Sequence, residues 1–179
     1  MQKKKIAVIF GGNSTEYEVS LQSAFSVFEN INKEKFDIVP IGITRNGDWY
    51  HYTGKKEKIA NNTWFEDNEN LYSVAVSQNR SVKGFIEFKE EKFYIIKVDL
   101  IFPVLHGKNG EDGTLQGLFE LAGIGILVQL FKIFFHFVVF VPNFTNQFFQ
   151  NILHRNNTER AAKIVYNDGD MGLLMLEHF

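Results

Sequence analysis

The chain has 179 residues, 45% of them hydrophobic and 22% charged, with a formal net charge of -2 and no cysteine. That length suits one sizeable core, or one domain with part of a second, and falls short of a typical three-domain enzyme. The charge balance excludes a nucleic-acid footprint, and the lack of cysteine excludes a disulfide scaffold and thiolate metal sites, as expected of a protein of the reducing cytoplasm.

Lys3, Lys4 and Lys5 ahead of an apolar run imitate a signal peptide, but the run stops at Gly11-Gly12 after only five residues. Ile6 to Phe10 is instead expected to be a strand buried on both faces of a parallel sheet. From Tyr17 to Ile31, the residues Val19, Ala24, Val27, Phe28 and Ile31 recur at helical spacing, with Glu18, Gln22, Ser26, Glu29 and Asn30 on the polar side. Phe36 to Ile43 reads as a second buried strand and closes a β-α-β unit. Between Thr44 and Lys97 the pattern becomes short alternating stretches broken by turn residues. Asp48 to Tyr52, Phe85 to Phe88 and Phe93 to Ile96 are predicted antiparallel strands, with Glu90-Glu91 at a hairpin turn. Asp99 to Leu105 returns as a buried strand, and Thr114 to Ala122 is a short helix ended by Gly123.

After Gly123 the character changes. Residues 124–141 hold only Gln129, Lys132 and His136 as strongly polar positions, and neither a strand nor a helix period organises them. Three polar residues costing about 2 to 3 kcal/mol each at a bilayer centre roughly cancel the apolar gain, so a membrane-spanning helix is not expected. The remainder is polar and Asn-rich, with one helix predicted around Thr158 to Tyr166.

Two glycine-rich turns carry the chemistry. Each follows an apolar strand and precedes a helix, the place where α/β sheets bind ligands, because glycine admits close approach and a helix amino terminus offers unsatisfied N–H groups. Glu16, where the first turn meets its helix, reads as a carboxylate favoured by the helix dipole or as an anchor for a substrate ammonium. His106, directly after the later strand, reads as a general base, a donor to an anionic ligand, or a polar strand end. Glu111 and Asp112 are adjacent at the start of a helix, so one is expected to cap it while the other faces solvent. His51, His136, His154 and His178 lack ligand spacing with acidic neighbours, and no metal site is expected from them. The first turn has neither the Gly-x-Gly-x-x-Gly of dinucleotide folds nor the Gly-Lys-Ser/Thr of a P-loop, which disfavours a dehydrogenase or P-loop kinase.

The pair of motifs, Ile6 to Ser20 around Gly11-Gly12-Asn13-Ser14-Thr15-Glu16 and Phe102 to Gly117 around His106-Gly107-Lys108-Asn109-Gly110-Glu111-Asp112-Gly113-Thr114, closely resembles the amino-terminal domain of D-alanine-D-alanine ligases. The wording is most similar to the glycopeptide-resistance branch that makes D-alanine-D-serine. The resemblance covers residues 1 to about 124. It implies an α/β, Rossmann-like parallel sheet of the pre-ATP-grasp kind with a β-rich excursion, followed by an irregular apolar tail. It also implies the family's reaction in peptidoglycan precursor synthesis. ATP phosphorylates the carboxylate of a first D-alanine, and the amine of a second amino acid attacks the acyl phosphate. Glu16 then matches the carboxylate that holds the ammonium of the first D-alanine, and His106 the imidazole near that substrate's carboxylate. These two are the expected catalytic-site pair, and Ser20 and Gly107 complete the expected substrate-binding set.

Residues 125–131 break the family pattern, and nothing later restores it. The expected division is therefore a substrate domain over 1–123 and a non-family, frame-shifted tail over 124–179, in a truncated member that is inactive alone. No cofactor is expected in this chain, since the resemblance puts ATP and Mg2+ on later domains of the intact family. D-alanine is the expected partner, with no nucleic acid and no membrane. The intact family is expected to form homodimers, and this chain to self-associate through exposed apolar surface. A second reading, from another class, is a non-catalytic interaction or membrane-associated protein that attaches through 124–141.

Overall fold

A computed structural model describes residues 3–126 and the strands Ala162–Asn167 and Asp170–Met175. The chain divides into two units, Met1–Leu127 and Val128–Phe179. In chain order the first unit holds β1 (Lys4–Gly11), α1 (Tyr17–Asn30), β2 (Phe36–Ile43), β3 (Trp49–Tyr52), α2 (Lys56–Ala60), two 3-10 turns (Trp64–Glu66 and Asn68–Asn70), β4 (Leu71–Val76), β5 (Gly84–Lys89), β6 (Lys92–Lys97), β7 (Leu100–Pro103), α3 (Thr114–Leu121) and β8 (Gly125–Ile126).

One sheet takes up all eight strands, in the order β6-β5-β4-β3-β2-β1-β7-β8. The apolar run Ile6 to Phe10, fully buried, lies between β2 and β7 and is parallel to both, with Ile6 opposite Ile38 and Leu100. β8 extends the parallel half beyond β7. The excursion between Thr44 and Lys97 turns out to be the other half of the same sheet. β3 pairs antiparallel with β2, and β4, β5 and β6 follow as a meander, with Lys89 and Lys92 flanking the Glu90-Glu91 turn.

Period-2 alternation divides the sheet's side chains between two faces. Ala7, Ile9, Ile41, Phe85 and Ile101 pack with Leu115 and Phe119 of α3 and with Ala122 at its carboxyl end. Phe119 meets the rings of Phe85 at 6.1 Å and Trp49 at 6.5 Å, so one short helix serves both halves of the sheet. The opposite face carries α1 and α2. Phe10 meets Phe28 edge-on at 6.0 Å and Trp64 at 5.1 Å, and Tyr52 meets Trp64 at 6.1 Å. Trp64 is fully buried, lies over Gly42 of β2, and donates its indole N–H to the Tyr17 hydroxyl at 3.0 Å. The buried indole thereby fastens the 3-10 segment to the first turn of α1.

Three readings need correction. Val19 is 41% exposed, and the inner face of α1 takes Tyr17, Ser20, Leu21, Ser23, Ala24, Val27 and Phe28 instead. Two serines inside the apolar face shifted the apparent stripe. The strand Leu71–Val76 lies in the excursion without having been predicted. In the second unit, the helix predicted over Thr158 to Tyr166 is replaced from residue 162 by β9 (Ala162–Asn167), antiparallel to β10 (Asp170–Met175). Ile164-Val165-Tyr166 favours a strand, and an Asp-Gly pair separates the two strands, a hairpin signal.

Of the apolar run after Gly123, Ile124 is buried and Gly125–Ile126 forms β8, while residues 127–141 lie outside the described residues. Among the described residues no helix is long and apolar enough to cross a membrane.

Removing the fully buried indole tests the weight of the α1 face. Trp64→Ala is expected to lower stability by about 3 to 5 kcal/mol in urea unfolding. A loss below about 1 kcal/mol would contradict the packing described.

Candidate functional site

The two glycine turns leave neighbouring strands, β1 and β7, at the same end of the sheet. In the first, Gly11 has φ 87°, and a Cβ there would collide with the carbonyl oxygen of Ile43. Only glycine fits so close to β2 in that conformation. Gly12 N–H donates to the same Ile43 oxygen at 2.8 Å, Ser14 N–H donates to Gly12 O at 3.0 Å, and Ser14 Oγ accepts from Glu16 N–H at 3.1 Å. These bonds set Glu16 as the N-cap of α1, where its carbonyl accepts from Ser20 N–H at 3.1 Å. The Glu16 side chain caps no backbone group. Its carboxylate is exposed at the positive end of the helix, where negative charge is favoured.

The second turn is held from within. Gly107 O accepts from the N–H groups of Gly110 at 3.2 Å and Glu111 at 3.1 Å. Asp112 accepts from Asn109 N–H and Thr114 N–H, each at 3.0 Å, and its carboxyl is lowered by Thr114, first through the side chain and then the backbone. Asp112 is thus the residue of the acidic pair that closes the start of α3, and Glu111 is exposed, as the spacing implied.

Three of the expected site residues meet where the turns meet. Gly107 has φ 72°, and a Cβ on it would lie 2.8 Å from Ser14 Oγ and 2.9 Å from Glu16 Oε2. Any side chain there would press on both groups of the first turn. His106, next to it, is 9% exposed, and its Nε2 lies 3.5 Å from Ser23 Oγ. Burial pushes the imidazole below its ordinary range, while the carboxylates of Glu16 and then Glu111 pull it up. A carboxylate and a mostly neutral imidazole therefore stand at one junction.

Ser20, the fourth expected residue, is completely buried beneath it. Its hydroxyl accepts from Gly11 N–H at 2.8 Å and donates to the carbonyl of Val104. One side chain of α1 thereby ties the end of β1 to the end of β7. Ser23 is the residue that the sequence reading missed. Its signal was a second serine, three positions after Ser20, on the apolar face of an amphipathic helix. A third brace comes from the β2–β3 turn, where Arg45 stacks 4.4 Å from the Tyr17 ring centre and pairs with Glu18.

The remaining histidine within the described residues, His51, pairs through Nδ1 with Glu87 in the antiparallel half of the sheet. His136, His154 and His178 lie outside the described residues. Among the described residues no three His, Asp or Glu side chains gather as a metal set.

Residues 5–127 match the profile described as D-ala D-ala ligase N-terminus. A D-alanine-D-alanine ligase of Caldicellulosiruptor bescii is 48% identical over 124 residues, which is 69% of this chain and 33% of that protein. The vancomycin C-type resistance protein VanC1 of Enterococcus gallinarum is 47% identical over 121 residues, 68% of this chain and 33% of that protein. Among solved structures, the VanG D-Ala:D-Ser ligase of Enterococcus faecalis superposes with a TM-score of 0.67 and 78% identity, covering 70% of this chain and 36% of its own. The chain thus spans about a third of the length of the curated relatives it matches.

The lowered pKa of His106 makes a testable statement about stability. The unfolded chain takes up this proton near pH 6.5, whereas the folded chain resists until lower pH. The stability contributed by the neutral ring is complete above about pH 6.5 and is lost as the pH falls through the lower folded pKa. In urea unfolding at about pH 7.5 and about pH 5.5, the wild type is expected to lose more stability on acidification than His106→Gln. Equal losses in the two proteins would contradict it.

Proposed function

The chain belongs, through residues 5–127, to the D-alanine-D-alanine ligase family, as its amino-terminal domain, and from that premise we propose that the joined turns bind the first D-alanine of an ATP-dependent ligation. The observation that carries the reading is the meeting of Glu16 and His106 at Gly107, one from each turn. A D-amino acid is a small zwitterion, with an ammonium and a carboxylate on one carbon. The exposed Glu16 carboxylate pairs with the ammonium through charge-assisted hydrogen bonds. His106 stands by the substrate carboxylate and orients it through an imidazole N–H. Gly107 keeps the floor low enough for Glu16 to stay in place, and Ser20 holds the two walls together from below.

In the family's reaction the substrate carboxylate is activated as an acyl phosphate, which the amine of the second amino acid attacks with release of phosphate. ATP supplies the phosphoryl group, with Mg2+ offsetting its charge, and the described residues are assigned to neither. Glu16 and His106 act by fixing the first substrate so that its carboxylate stays in one orientation. Residues 5–127 are in this reading the substrate-holding part of a peptidoglycan-precursor ligase acting in the cytoplasm. Support for D-serine as the second amino acid comes from the 78% identity to the VanG D-Ala:D-Ser ligase.

Calorimetric titration of the full chain with D-alanine tests the binding role. Glu16→Gln is expected to weaken binding by about 10- to 100-fold, since a hydrogen bond to a charged group contributes about 1.5 to 3 kcal/mol. Equal affinity of wild type and variant, or no D-alanine binding by the wild type, would contradict the proposal.

A further inference from the structure

One hydroxyl hydrogen at the junction of the turns has no part in the reading above. Two serines of α1 have theirs committed inside the fold, Ser20 to the carbonyl of Val104 and Ser23 to that of Val19. Ser14, in the first turn, differs. Its Oγ accepts from Glu16 N–H at 3.1 Å, and among the described residues nothing accepts the hydrogen it carries. A hydroxyl has one hydrogen beside its lone pairs, so the group that receives the Glu16 amide is also a donor.

Both turns fix where that donor stands. A Cβ on Gly107 would lie 2.8 Å from Ser14 Oγ and 2.9 Å from Glu16 Oε2, so the hydroxyl and the carboxylate flank one point on the second turn. The bond from Glu16 N–H keeps the hydroxyl beside the residue whose carboxylate it accompanies. Ser14 is half-buried and Glu16 exposed, which leaves both within reach of a small ligand. A carboxylate next to a neutral donor suits a ligand with a cation and an anion on one carbon. The ligand's ammonium turns to the protein carboxylate, and its own carboxylate turns to the hydroxyl.

We propose that Ser14 is a further substrate-binding residue, whose hydroxyl donates to the carboxylate of the amino acid that Glu16 holds by its ammonium. The proposal rests on the reading of Glu16 as the ammonium anchor. It adds a second donor to the one assigned to His106, and a carboxylate, with two oxygens, accepts more than one. Neutrality matters at this position. A lysine or arginine there would pair with Glu16 and take the place of the substrate ammonium, whereas a hydroxyl leaves the Glu16 charge to the ligand.

Calorimetric titration of the full chain with D-alanine, on three variants, separates the two uses of the hydroxyl. Ser14→Ala removes acceptor and donor, Ser14→Asp keeps an acceptor for Glu16 N–H but carries no hydrogen when ionised, and Ser14→Thr keeps both. Ser14→Ala and Ser14→Asp are each expected to weaken binding about 10-fold or more, and Ser14→Thr to bind as the wild type does. The added charge of Ser14→Asp attracts the substrate ammonium and repels only its carboxylate, so a loss in that variant reports on the carboxylate. Wild-type affinity in Ser14→Asp overturns the proposal, since the hydroxyl then serves only as acceptor for the turn. Wild-type affinity in Ser14→Ala overturns it too. Either result, obtained while Glu16→Gln still weakens binding, leaves the anchor reading of Glu16 standing. Full affinity in Glu16→Gln, or no binding by the wild type, defeats that reading and this proposal with it.

Discussion

Everything at this site depends on one buried hydroxyl. The ladder between β1 and β7 ends at Ile9 and Pro103, with one further bond from Val104 N–H to Ile9 O at 2.7 Å. Past that rung β7 ends and β1 stays paired only with β2, through Gly11, so the polar groups that Gly11 and Val104 turn toward each other need partners where water does not reach. Ser20 supplies a partner to each, accepting from Gly11 and donating to Val104. Leaving a buried group unsatisfied costs about 1 to 3 kcal/mol, so the tie constrains position as well as adding stability. Through it, Glu16 and His106 take their places from a common support.

That support is broader than the two turns. Gly12 reaches β2 through Ile43, Arg45 of the next turn lies on Tyr17, and the Tyr17 hydroxyl accepts from Trp64. Burial raises the Tyr17 phenol, with the Trp64 N–H and then Arg45 working the other way, so the hydroxyl stays protonated and can serve as acceptor. The antiparallel half of the sheet thereby braces the first turn of α1, while Glu16 and His106 come from the parallel half.

Much of this could be read in the sequence, because the signals concerned are local. A β-branched run closed by Gly-Gly specifies a buried strand and a tight exit at Phe10-Gly11-Gly12, and the Asp112-Gly113-Thr114 sequence specifies a helix start. Leu71–Val76 was missed because its buried-face pattern is weak, with only Val74 truly buried. The apolar stripe of α1 was misplaced toward Val19 because Ser20 and Ser23 look polar in sequence, yet their hydroxyls are satisfied inside the fold. Glu16 and His106 were legible as candidates for one site, from the like layout of the two turns and from the resemblance, and what was not legible was the close contact of the turns at Gly107. That contact depends on pairing between strands 94 positions apart in register, Ile6 opposite Leu100, whereas helical and strand periods report only on neighbours in the chain.

Ser20 makes the two turns one support, and backbone amide spectra of Ser20→Ala show this most directly. The amide signals of residues 11–16 and of residues 105–113 are expected to shift together, and D-alanine affinity to fall. Shifts confined to the residues of α1, with D-alanine binding intact, would contradict it.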